Sequence, residues 1–324
     1  MIGTHVNRRQ FTVWTAAASG GLVLDLSLEA ATRLFHAGSQ AELSPTYAES
    51  VQLAGMTRDG AQEISMRVAR FPRRGDATLW ATACLGDNVY NAAIENLGLG
   101  DFKGRTQVED ETVRFDVVGT DQAVFSRRLS LTPSGMMKGS AKVSIGAHQT
   151  ADPPTGRGPH ALVIEAKFES SHQTVKVRPG RSEVMGRIWA TVRTPSGVNK
   201  FQGFGKWHEQ VGDRPRFASA FTYLGVMGDR IGLLAVWLKA GAFGYARLGN
   251  QTIPVKTVVI DPIGPRRRFR VELDNGRVIE GEAVTKRAIS TPVEGSRRPS
   301  TTVMVKSDIG PMVGNLNDWD PDRH

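Results

Sequence analysis

Phe269-Arg-Val-Glu-Leu-Asp-Asn-Gly-Arg-Val-Ile-Glu-Gly-Glu282 sets apolar and charged residues in alternation on either side of Asp274-Asn-Gly276. Successive side chains of a strand leave on opposite faces, so a period of two marks a half-buried strand. Asn-Gly supplies the positive φ angles of a tight two-residue turn, and the stretch therefore predicts an antiparallel hairpin. Ile64-Ser-Met-Arg-Val-Ala-Arg70 and Val113-Arg-Phe-Asp-Val117 repeat the pattern, and Asp59-Gly60 and Thr194-Pro-Ser-Gly197 read as further turns. Other strands are predicted over 79–85, 88–96, 123–131, 136–145, 161–168, 183–193, 218–226, 230–239, 242–248, 251–260 and 301–306. So many short, regularly spaced strands with little helical periodicity indicate an all-β protein of sandwich or barrel architecture.

The polar, Pro- and Gly-rich segment Ala147-His-Gln-Thr-Ala-Asp-Pro-Pro-Thr-Gly-Arg-Gly-Pro159 reads as a linker or long surface loop between two groups of strands. The expected division is therefore an N-terminal segment over 1–41, a first β domain over 42–150 and a second over 151–324. The run from Gly310 reads as a terminal loop and the acidic end Asn317-Asp-Trp-Asp-Pro-Asp-Arg-His324 as frayed, with Trp319 able to dock on a barrel mouth.

Composition narrows the function classes. With 324 residues, 40% hydrophobic and 23% charged, the chain has the makings of a sizeable core, and disorder throughout is excluded. The net charge of +9 is scattered over short clusters such as Arg127-Arg128 and Arg266-Arg267-Arg268. No long basic run or aromatic-interleaved basic face appears, so no nucleic-acid partner is expected, while peripheral contact with an anionic membrane is compatible with the charge. Cys84 is the sole cysteine, the seven histidines have no metal-ligand spacing, and neither a P-loop nor a dinucleotide fingerprint occurs. No metal and no cofactor are expected.

Asn7-Arg-Arg-Gln-Phe11, followed by the small and apolar run Val13-Trp-Thr-Ala-Ala-Ala-Ser-Gly-Gly-Leu-Val-Leu24, is similar to a twin-arginine export signal, with small residues at Ala37-Gly-Ser-Gln-Ala41 for cleavage. Periplasmic or extracellular export is the expectation. Asp25 and Glu29 interrupt the apolar stretch, and the alternative is an N-terminal helix on a cytoplasmic protein.

The candidate site lies in Phe201-Gln-Gly-Phe-Gly-Lys-Trp-His-Glu-Gln-Val-Gly-Asp-Arg-Pro-Arg-Phe217, where Trp207, His208, Glu209 and Arg214 gather an aromatic plate, an imidazole, a carboxylate and a guanidinium. On a regular strand Trp207 and Glu209 share one face, and Lys206, His208 and Gln210 share the other. Bringing His208 and Glu209 into one cavity needs a bulge or a strand end near Gly212. The competing reading is a strand edge whose His208 and Glu209 are solvated or paired with Arg214.

Three stretches carry a resemblance: the strand at Ile64 running into Phe71-Pro-Arg-Arg-Gly-Asp-Ala-Thr-Leu-Trp80, then Glu183-Val-Met-Gly-Arg-Ile-Trp-Ala-Thr-Val-Arg193, then Gly203-Phe-Gly-Lys-Trp-His208 with Gly212 and Arg214. Continuing through Gly244-Tyr-Ala-Arg-Leu-Gly249 and the Asn-Gly hairpin, they make residues 50–286 resemble the lipocalin-like superfamily of carotenoid 1,2-hydratases and related terpenoid and polyketide cyclases. The resemblance implies two lipocalin-like antiparallel β-barrels or curled sheets holding a long apolar ligand. Many members of that family carry His-Ser-Trp-Gly where this chain has His208-Glu-Gln-Val-Gly212, a departure that makes Glu209 a candidate acid.

Two classes of function follow. The first is an enzyme that acts on a terpenoid, polyene or lipid-like substrate by acid-base chemistry: an isomerase or cyclase, or a hydro-lyase of the hydratase type. It would use His208 and Glu209 as catalytic groups and Trp207, Arg214, Tyr223, Trp237, Tyr90 and Trp80 as substrate-binding walls, with π faces to stabilise cationic charge. Each of these aromatics equally suits core packing. The second class is an exported, non-catalytic carrier of a small apolar molecule. A carbohydrate-active or structural envelope protein would require paired carboxylates that the sequence does not offer.

Overall fold

The structure is a computed structural model, and it describes residues 44–98, 107–110, 113–120, 123–213, 219–293 and 295–320. The signal-like segment over 1–41 and Arg214 lie outside the described residues.

Every described element is a strand. Twelve of them form one sheet: β1 Tyr47–Met56, β2 Gln62–Phe71, β3 Asp76–Leu85, β4 Asn88–Gly98, β5 Gln107–Asp110, β6 Val113–Thr120, β7 Ala123–Leu131, β8 Met136–Ala147, β9 His160–Gln173, β10 Val175–Arg178, β11 Arg181–Thr194 and β12 Gly197–Asp213. Their order is β4-β3-β2-β1-β12-β11-β9-β8-β7-β6-β5, with β10 paired to β11. The sheet curls: Asn91 and His148 exchange backbone hydrogen bonds of 2.9 and 3.0 Å, and Gly156 donates to Ala93 over 3.0 Å, returning β4 to the segment after β8. Its concave face buries Leu53, Met66, Leu79, Val143, Ile164, Phe168, Ile188 and Trp207.

The remaining strands are β13 Phe221–Gly228, β14 Ile231–Leu238, β15 Gly241–Leu248, β16 Gln251–Ile260, β17 Arg266–Leu273, β18 Val278–Val293, β19 Ser296–Ser307 and β20 Met312–Trp319, which close an antiparallel barrel. Leu224, Leu233, Val271, Leu273, Ile279, Val303 and Leu316 pack together inside it. An eight-stranded barrel has room for side chains or for one small ligand, and here side chains occupy the interior.

Three expectations are corrected. Residues 148–159 connect β8 and β9, which pair from Ala147↔His160 onward within one sheet, so the sheets divide between β12 and β13 and not at 150/151. The run from Gly310 is no terminal loop but precedes β20, which pairs with both β13 and β19 and completes the barrel. Its Asn315 and Asn317 face outward, yet the curled sheet covers them, so a core strand carries the composition of a loop. The Asn-Gly turn holds three residues, not two: Leu273 N–H donates to Arg277 over 2.8 Å, Gly276 N–H to Leu273 over 2.9 Å, and only Gly276 has a positive φ, of 81°. A three-residue loop with glycine in the left-handed position is the next commonest hairpin solution.

Outward-facing Tyr223, Met227, Leu234, Val236 and Tyr245 of the barrel pack with Met185 of the curled sheet. Gly232 permits this contact, since a Cβ there would lie 2.3 Å from Met185 Sδ. A polar knot supports it: Glu63 accepts hydrogen bonds from Thr302 and, over 3.0 Å, from Asn315 Nδ2.

Candidate functional site

Register places five functional side chains in one row across the outer face of the curled sheet. Trp80 is opposite Arg67, Arg67 opposite Gln52, Gln52 opposite His208, and His208 opposite Glu183. Directly opposed residues in antiparallel strands share a face with Cβ atoms about 5 Å apart, so the row is continuous over β3, β2, β1, β12 and β11. The barrel presents a second row, Asn317, Tyr223, Val236 and Phe243, by the same rule. A cavity of about 480 Å³ lies between the rows, and Phe221, Arg178, Arg181, Lys206, Arg298 and Trp319 are among the other residues of its walls. Small-molecule sites commonly fall in this size range.

At its floor Glu183, 2% exposed, accepts from Arg181 Nε over 3.0 Å, from Arg181 Nη2, and lies 3.1 Å from His208 Nδ1. Burial alone would raise the Glu183 pKa, but the Arg181 guanidinium, the His208 hydrogen bond and the Lys206 charge hold it well below the carboxylate range. Burial pushes His208 down to about 3 against the opposing pull of Glu183, with Arg181 and Arg67 adding to the depression. His208 is therefore a neutral imidazole that donates from Nδ1 to Glu183. Its Nε2 is left as an acceptor with no hydrogen-bond partner among the described residues.

Two positions along β12, Lys206 shares the His208 face and donates from Nζ to the Tyr223 hydroxyl, with the ammonium 4.3 Å from the Tyr223 ring centroid. Burial lowers Lys206 to about 8, and Glu183 partly offsets this. Burial and the Glu183 charge raise Tyr223 well above the phenol range, so it keeps its proton. Because the phenol oxygen accepts from Lys206, its own hydrogen is available to a ligand.

The sequence-derived candidates separate. His208, Tyr223 and Trp80 stand on the cavity wall. Trp207 and Glu209 face the opposite side of β12, inside the curled sheet, where Glu209 pairs with fully buried Arg127 and accepts from Trp207 Nε1 over 3.0 Å. The expectation that His208 and Glu209 border one cavity is thus corrected. β12 stays regular through both residues and pairs without a break with β1 and β11, so neither is re-aimed. Tyr90 is buried in the curled sheet with its hydroxyl 2.9 Å from Ser196 Oγ, and Trp237 is 42% exposed at an end of β14; neither lines the cavity.

Sequence reasoning missed Glu183, Arg181, Arg67 and Arg298, and noted Lys206 only as a neighbour of His208. Glu183 heads a strand that was read correctly, but its pairing with His208 across 25 positions depends on the β11–β12 register. Among the described residues no group of three His, Cys, Asp or Glu side chains is placed to hold a metal ion.

No protein-family model matches the sequence, and no curated protein matches it. Solved structures do. The chain matches CghA, in its crystal structure with Sch210972, with a TM-score of 0.54 at 11% identity over 86% of this chain and 87% of CghA. An AttH-type protein from Nitrosomonas europaea matches with a TM-score of 0.48 at 12% identity over 94% and 99% of the two chains. Kievitone hydratase from Nectria haematococca matches with a TM-score of 0.45 at 9% identity over 87% and 91%. The CghA likeness is one of fold, and at this coverage it takes in residues of both the curled sheet and the closed barrel.

Proposed function

We propose that the cavity between the curled sheet and the barrel is the active site of a proton-transfer enzyme, an isomerase, cyclase or hydratase acting on a small molecule with an apolar, unsaturated body. One observation carries this reading: a buried neutral imidazole, oriented by the buried carboxylate of Glu183, shares a wall with a tyrosine hydroxyl held by a buried ammonium. His208 Nε2 takes a proton from substrate carbon or from water. The electron pair moves onto a substrate oxygen that accepts the Tyr223 hydrogen bond, with Lys206 stabilising the negative charge from behind. Return of the proton at another carbon completes an isomerisation. In hydration the water that loses its proton to His208 adds through oxygen to a carbon–carbon double bond conjugated with that substrate oxygen, and the proton returns at the adjacent carbon. In ring closure the carbanion carbon adds to an electrophilic carbon of the same substrate, and the new anion takes the proton back from His208. Along β12 the backbones of His208 and Lys206, which holds the Tyr223 hydroxyl, are about 7 Å apart, within the span of one substrate.

The polarity of the walls favours an anionic over a cationic intermediate, which revises the expectation of protonation to a carbocation. Arg67, Arg181 and Arg298 surround the site. At an effective dielectric of about 20, each positive charge roughly 6 Å from a carbocation would oppose it by about 3 kcal/mol, and would favour an enolate by as much. CghA, which shares the fold, has been crystallised with Sch210972, and a small-molecule occupant is proposed for this cavity as well.

The test is mass spectrometry of terpenoid, polyketide and lipid extracts incubated with the protein, beside His208→Gln and Tyr223→Phe. A product of unchanged mass, or one differing by a single water, that both variants abolish is expected. A ligand that is bound and returned unaltered would make the protein a carrier and end the catalytic reading.

A further inference from the structure

We infer that the ligand of this cavity is amphiphilic and carries an acidic group, a carboxylate or an acidic enol, that the guanidinium groups hold while its apolar body lies on the barrel. This deepens the proton-transfer reading and rests on its assignment of the cavity as the small-molecule site.

Three observations lead there. The walls carry five cationic side chains, Arg67, Arg178, Arg181, Lys206 and Arg298, against the carboxylates of Glu183, Asp213 and Asp318. Two of those carboxylates are engaged: Glu183 by Arg181 and His208, and Asp318 by Arg267 from outside the cavity, over 3.1 Å through Nη2. Among the described residues the cavity walls therefore carry a net positive charge.

The charges are also unevenly divided: the barrel contributes Arg298 and Asp318, and the other cations lie opposite. Arg67, Arg178, Arg181 and Lys206 all come from the curled sheet, whereas Phe221, Val236, Leu238, Phe243 and Trp319 face them from the barrel. A wholly apolar ligand would strip water from exposed Arg178 and offer the other cations no hydrogen bond, at a cost of several kcal/mol for an ion that loses its water. An anionic group returns charge-assisted hydrogen bonds, and arginine forks match a carboxylate in geometry.

The cations act on a common point. Arg181, Arg298 and Arg67 each oppose the charge on Lys206 and press in the same direction on Tyr223, while Arg181 and Arg67 do so on His208. A bound anion there offsets the part of the His208 depression that Arg181 and Arg67 add to burial, and so raises the basicity of the imidazole when the site is occupied.

The experiment is a fluorescence titration of the full chain with cis-parinaric acid and with its methyl ester, at low and at high salt. The acid is expected to bind roughly ten- to a hundredfold more tightly than the ester, the scale of a hydrogen bond to a charged group. High salt should narrow the difference, as should Arg298→Gln and Arg178→Gln. Equal affinity, tighter binding of the ester, or binding of neither would overturn the inference, and the wild-type comparison needs no variant to fold. His208→Gln separates the two readings. If it abolishes turnover while acid and ester bind alike, the anion inference alone fails; if the acid preference persists and turnover survives, the proton-transfer reading alone fails.

Discussion

Glu183→Gln is the most exacting perturbation of this site, because one carboxylate serves both the stability of the fold and the orientation of His208. The side chain is fully buried and all three of its donors, two from Arg181 and one from His208, converge on Oε1. An amide oxygen in the same place can still accept, so hydrogen-bond count changes little. The charge is what disappears, leaving Arg181, whose side chain is 12% exposed, without its carboxylate. Breaking a buried ion pair from one side costs about 3–5 kcal/mol, whereas replacing both members by neutral groups is far milder. Urea unfolding should therefore show Glu183→Gln less stable by about 3–5 kcal/mol, with Glu183→Gln/Arg181→Met recovering most of the loss. Neither variant should turn over substrate normally, since His208 Nδ1 loses the anion that fixes its tautomer. The ordering matters more than the size. A single variant costing under about 1 kcal/mol, or a double variant less stable than the single, would refute the picture of a charge-compensated buried dyad.

Other consequences can be checked separately. With Lys206 at about 8, its proton is present below that pH and lost above it, so kcat/KM should fall about tenfold per pH unit on the alkaline side, and Lys206→Met should abolish that limb in a pH-rate profile. Glu209→Gln leaves Arg127, 2% exposed, without its carboxylate inside the curled sheet and should lower the unfolding free energy by about 3 kcal/mol in urea titration. Leu316→Ala in β20 should cost about 2–5 kcal/mol in thermal or urea unfolding, as for a core leucine; a loss under about 0.5 kcal/mol would return residues 310–320 to the status of a terminal loop.

The strands were legible wherever one face met the core and the other met water. The bounds expected for β7 and β16, 123–131 and 251–260, match the strands, whose burial alternates over much of their length and is broken in β16 by the bulge between Val255 and Thr257. Two strands buried on both faces and carrying polar residues, β1 and β20, were not. β1 places Ala48, Ser50 and Gln52 toward the barrel and Val51 and Leu53 toward the concave core, so polar residues fall where alternation would have them exposed. β20 hides Asn315 and Asn317 under the curled sheet for the same reason. In both, packing of one sheet on the other defeats a rule that assumes solvent on one side. The division of sheets was misplaced because the Pro-rich segment 148–159 is a long excursion between strands that nonetheless pair, and nothing in composition distinguishes that from a linker.

The site itself depends on register, which explains why its chemistry was half visible. Alternation along β12 told His208 from Glu209 at once, and that separation holds in the structure. What alternation cannot supply is which residue of another strand stands opposite. The row Trp80, Arg67, Gln52, His208, Glu183 draws on five strands whose members lie up to 156 positions apart in sequence, between Gln52 and His208. A slip of one residue at any of the four pairings would turn one of these side chains into the concave core and break the row. The same dependence makes the row hard to imitate by chance: an imidazole, its carboxylate and a guanidinium share one face only while β1, β2, β11 and β12 keep register with one another. Catalytic geometry and sheet stability are then a single requirement, and substitutions that disturb pairing of β1 with β12 should weaken both together.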